Sequence, residues 1–180
     1  ASGGGGSITN SGFRTNYFYY GGISASGTTF TPAVDTLYCL PFIPGDSDTV
    51  TRIGLNVSTA EAGKRARLGI YEMVDGVPDT LVVDAGTVSL ASTGDKEATI
   101  SVLLDKSKIY ALAYVVDSTT AIVTQRSGSI QLSGALNGSS TSTGTTHGWN
   151  KAHAFAALPS PFGSPTDTSS FQGLMWLRKV

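Results

Sequence analysis

The chain has 180 residues, 40% hydrophobic and only 14% charged, with a net charge of -1. That size suits one domain, and the balance excludes a charge-rich disordered chain. Ser, Thr and Gly, 22 of each, make up over a third of the residues; all three are poor helix formers, so a helical bundle is excluded.

The start, Ala1-Ser2-Gly3-Gly4-Gly5-Gly6-Ser7, reads as a flexible linker, a cloning remnant or the join to a larger protein. Residues 1–12 are assigned to it and 13–180 to a single domain. Tyr17 to Tyr20 form an aromatic cluster that suits packing, within the chain or between copies. Asp35 to Pro44 carries an apolar segment with Cys39, the sole cysteine, which excludes an intramolecular disulfide and behaves as a small buried residue.

Gly45 to Asp48 is a turn. Val50 to Val57 then alternates, with Ile53, Leu55 and Val57 on one face, the pattern of a half-buried strand. Thr59 to Lys64 is helical for about one turn. Lys64, Arg65 and Arg67 are the densest basic stretch, too short for a nucleic-acid stripe. Ala66 to Glu72 is a strand. Asp75-Gly76-Val77-Pro78-Asp79 is a turn on its Gly and Pro chemistry. Leu81 to Asp84 and Gly86 to Leu90 are short apolar pieces, and Thr93 to Lys96 is another turn. Ala98, Ile100 and Val102 alternate again. Ile109 to Val116 is nearly all apolar and reads as a central strand covered on both sides. Ala121 to Thr124 is placed to pair beside it.

Residues 127–171 are rich in Ser, Thr, Gly and Pro and read as an irregular insertion, with a last strand from Leu174 to Arg178. Many short strands between turns indicate one antiparallel all-β sandwich, jelly-roll-like with long loops.

The segments Pro41–Ile43, Thr51–Val57, Ala66–Tyr71, Gly76–Leu81 and Asp84–Val88, followed by Lys108–Ala113, resemble in order and spacing a β-sandwich module of bacteriophage and prophage tail-fibre, spike and related virion proteins. The match covers roughly Leu37 to Val116. It implies a place in the virion, attachment to a host surface, and a homotrimer, since phage fibres are usually three-fold. It brings no catalytic residues. Within it, Gly54 and Gly69 lie inside strands and point to bulges or close backbone approach.

Catalysis finds little footing. A nucleophilic triad needs an oriented histidine, and His147 and His153 both lie in the irregular segment. The acids sit mostly at turns, where capping accounts for them. The chain is therefore read as non-enzymatic, without cofactor or metal, nucleic-acid partner or membrane insertion. Binding fares better. Trp149, with His147, Asn150, Lys151 and His153 around it, offers an aromatic face ringed by polar groups, the chemistry that holds a sugar. The competing reading is that Trp149 anchors its loop onto the sandwich or onto another subunit. The candidate partners are a host cell-surface glycan and other virion proteins; a purely structural virion domain is the alternative function.

Overall fold

The computed structural model describes residues 12–20, 26–119, 122–127, 148–168 and 173–180. Its strands are β1 (Phe18–Tyr20), β2 (Ser26–Phe30), β3 (Thr36–Phe42), β4 (Asp48–Thr59), β5 (Arg65–Val74), β6 (Val77–Ser89), β7 (Gly94–Leu104), β8 (Tyr110–Val116), β9 (Ile122–Ser127), β10 (Gly148–Ala152), β11 (Thr166–Thr168) and β12 (Met175–Arg178). There is no helix among the described residues, and the 60–64 segment is a single turn closed by Lys64 N–H donating to Glu61 O at 3.3 Å.

The pairing partners reveal one long hairpin rolled up on itself: β5 pairs β6, β4 pairs β7, β3 pairs β8 and β2 pairs β9, each antiparallel. Rolling splits these pairs between two sheets, β2-β9-β4-β7 and β3-β8-β5-β6. The two sheets pack as an all-β sandwich of jelly-roll topology. The tip of the hairpin is Asp75-Gly76, with φ of 50° and 82°. Positive φ at both positions is the signature of a type I′ turn, which matches the twist of the flanking strands. The turn is thus two residues long, and Pro78 belongs to β6. Because β6 ends its sheet, the N–H that proline lacks costs no ladder bond on the open side.

Two further sequence expectations change. The pieces 81–84 and 86–90 join into one strand, with a register shift opposite Leu68 and Gly69 that leaves Ala85 unpaired against β5. The strand expected beside β8 lies in the other sheet, where β9 pairs β2 and the end of β4.

The remaining strands extend the roll. β10 and β11 continue the second sheet beyond β3. One edge of β4 is taken by β7. Its other edge is shared by β12, along Arg52 to Leu55, and by β9, at Val57 and Thr59, with β1 outside β12.

Alternation decides what is buried where. From β3, Tyr38, Leu40 and Phe42 face the core between the sheets, with Ile53, Leu55 and Val57 of β4 and Leu112 and Tyr114 of β8. Each buried aliphatic contributes about 1.5–3 kcal/mol. The alternate residues Leu37, Cys39, Tyr71, Ala111, Ala113 and Val115 form a second apolar cluster on the opposite side of the second sheet. This is why every residue of β8 is buried: both of its faces are covered.

Candidate functional site

The second cluster is closed by the segment that contains most of the candidate binding residues. β10 runs between β3 and β11, with Trp149 opposite Cys39 on one side and Asp167 on the other. Side chains that share a register position share a face, so the indole enters the same layer as Cys39. It is fully buried there with Leu158 and Phe162. After β10 the chain turns back as a strap over this face, residues 153–165, and returns as β11. The insertion is therefore partly regular, and Trp149 occupies the anchoring position: both of its faces are packed.

Two of the polar candidates, Lys151 and His153, hold the strap. Lys151, two residues on from Trp149 and on the same face, donates its ammonium to the Phe162 carbonyl and lies 5.3 Å from that ring's centroid. His153 donates its backbone N–H to Asp35 O at 2.9 Å, and its Nε2 meets Ala157 O at 3.1 Å. A carbonyl only accepts, so that contact selects the Nε2–H tautomer. Asn150 is half-buried on the opposite face of β10. His147 lies outside the described residues. Trp149, Lys151 and His153 are thus brought together, and each grips protein.

Three residues, Arg67 and Tyr71 of β5 and Asp84 of β6, latch the strap down. Arg67 Nε donates to both oxygens of Asp84, at 2.9 and 2.8 Å, and Asp84 also accepts from the backbone of Leu158 and Gly86, at 3.0 Å each. Tyr71 donates its hydroxyl to Pro159 O at 2.8 Å, and burial pushes its phenol well up, so it stays a donor. Gly69 lies beneath: a Cβ there would fall 2.3 Å from Leu158 Cδ1 and 2.7 Å from Val83 O, the close approach its place in a strand suggested. Burial also pushes the Cys39 thiol up, so it remains neutral.

Burial raises the Asp84 carboxyl, but the Leu158 and Gly86 amides and the Arg67 guanidinium outweigh it and hold the group below its ordinary value of 3.8. A depressed acid stabilises the fold above its unfolded pKa, and that contribution is lost as pH falls through the folded pKa. The Leu158 and Gly86 amide resonances should therefore titrate together with a midpoint below 3.8. A midpoint at or above that value would contradict the latch.

The outer face of the first sheet carries a different surface. Register sets it out in rows across β1, β12, β4 and β7: Phe18, Arg178, Arg52, Thr99, then Tyr20, Trp176, Gly54, Glu97. Trp176 lies on Gly54, its Nε1 donating to Glu97 at 3.3 Å, while Phe18 and Tyr20 meet it edge-on with centroids 5.6 and 6.2 Å away. Arg178 pairs with Glu97 at 3.0 Å and sits 5.2 Å from the Phe18 centroid. Phe18 is 37% exposed and Tyr20 36%, whereas Trp176 is covered. The aromatic cluster was legible as packing; its open outer side was not.

Elsewhere the carboxylates serve the scaffold. Asp48 binds Lys179 at 2.8 Å and the Phe13 amide at 3.2 Å, tying the segment before β1 to the segment after β12. Among the described residues no group of three or more His, Cys, Asp and Glu side chains is placed to hold a metal ion. Comparison with family models, with curated proteins and with solved structures finds no match to this chain.

Proposed function

We propose that this chain is an attachment domain of a phage-like virion fibre or spike, that it holds a polysaccharide of the host surface, and that it works as a homotrimer. The observation that carries the reading is the place of the resembling residues. Leu37 to Val116, where the resemblance lies, supplies β3 to β8, three-quarters of the rolled hairpin. A rigid sandwich of this kind presents loops and sheet faces without changing its core. Closed three-fold assembly also covers sheet edges such as β6, β11 and β1.

The alternative, a purely structural fibre tip, collar or head decoration, draws support from one observation: Trp149 is packed under the strap rather than offered to solvent. Adsorption separates the two. The fluorescently labelled chain should bind some members of a panel of bacterial cells, and periodate, which cleaves vicinal diols of sugars, should abolish that binding. Failure to bind any cell would favour the structural role.

A further inference from the structure

We propose that the outer face of the first sheet, centred on Phe18, Tyr20 and Arg52, is the binding surface for a negatively charged saccharide. This rests on the attachment reading and gives it a site and a ligand charge. Phe18 and Tyr20 are nearly parallel, 21° apart with centroids 6.4 Å from each other, and both are braced edge-on against the covered Trp176. Rings already fixed in place lose little freedom on binding. Between them Tyr19 turns inward and packs on the core, so the two exposed rings share one side of β1. Apolar rings of this kind receive the C–H face of a sugar.

Charge selects the kind of sugar. Glu97 is engaged by Arg178 and by the Trp176 indole, and Asp95, on the row beyond, accepts from Asn56 at 2.6 Å. Arg52 stands beside Arg178 in the Phe18 row, and Nη1 donates to the Thr51 carbonyl at 2.9 Å. Among the described residues no carboxylate lies within ion-pair distance of it. A guanidinium on the face that carries exposed rings complements a carboxylate or phosphate carried on a sugar, because the planar fork binds such an anion through two parallel hydrogen bonds. Neighbouring strands are about 4.8 Å apart, so Phe18 and Arg52, two strands away, are separated by about 10 Å at the backbone. That span suits a short stretch of polysaccharide rather than one small ion.

The test titrates the full chain with an oligogalacturonate, as the acidic probe, and with a neutral dextran oligosaccharide of equal length. Wild type should bind the acidic probe at least tenfold more tightly, and the preference should shrink in high salt. Arg52→Gln should weaken acidic binding about tenfold, the scale of one charge-assisted hydrogen bond, with an unchanged melting profile. Phe18→Ala should weaken binding to a similar degree. Equal affinity for both probes, no binding of the acidic one, or full affinity in Arg52→Gln would overturn the proposal. So would a Phe18→Ala chain that loses an oligomer while keeping its saccharide affinity, which would assign the face to contact between copies. If cell adsorption is sensitive to periodate but indifferent to both substitutions, this site fails and the attachment reading stands. If wild type adsorbs to no cell, the attachment reading itself fails.

Discussion

Trp149→Ala should destabilise the folded chain by about 3–5 kcal/mol, the usual loss for a large aromatic removed from a packed interior. The indole is fully buried among Leu37, Cys39, Leu158 and Phe162, and its strand is held on both sides, by β3 and β11. Its removal leaves a cavity beneath the strap that Leu158 and Phe162 cannot both fill, because the Leu158 and Phe162 amides are tied to Asp84 and Asp79. Denaturant unfolding measures the loss, and Trp149→Phe, which keeps most of the ring, should retain the fold at smaller cost. A loss below about 1 kcal/mol for the alanine variant would mean that the strap is not anchored there.

Gly54→Ala is the second large effect, about 1–3 kcal/mol from overpacking. A Cβ at this position would fall 2.7 Å from the Lys96 carbonyl and 2.7 and 2.8 Å from Nε1 and Cε2 of Trp176. The carbonyl belongs to the β4–β7 ladder, so the indole must lift, breaking its bond to Glu97 and disturbing the rings of Phe18 and Tyr20. In a Trp149→Phe background the fluorescence of Trp176 should shift to the red as it gains solvent. Gly45→Ala is the control, since nothing lies within 4 Å of its Cβ position, and it should change stability by no more than about 0.5 kcal/mol. Equal stability of the two alanine variants would contradict the close approach at Gly54.

These two residues show how far the sequence carries. Gly54 was readable because a glycine inside an alternating strand signals that something approaches the backbone, although not that the neighbour is Trp176, which is 122 positions away in the chain. The continuous apolar run of β8 was readable for a related reason: a strand buried on both faces has no polar side to show. The segment Gly148-Trp149-Asn150-Lys151-Ala152 hides its nature. It is five residues long, its two inward-turned side chains are Trp149 and Lys151, and the lysine reaches the same layer only because its ammonium finds the Phe162 carbonyl. β2, Ser26–Phe30, has too few apolar residues to alternate. The sheet to which β9 belongs follows from the rolling of the hairpin, a property of the pairings 2–9, 3–8 and 4–7 together and of no local pattern. The exposed side of Phe18 and Tyr20 depends in the same way on β12 seating β1 at the flank of β4.

The measurement that bears most directly on the attachment reading is adsorption of the labelled chain to cells before and after periodate treatment, run with wild type, Phe18→Ala and Trp149→Phe. Saturable binding that periodate removes, that Phe18→Ala weakens and that Trp149→Phe keeps is the predicted result. Folded wild-type chain that adsorbs to no cell, or that adsorbs equally before and after periodate, would contradict it.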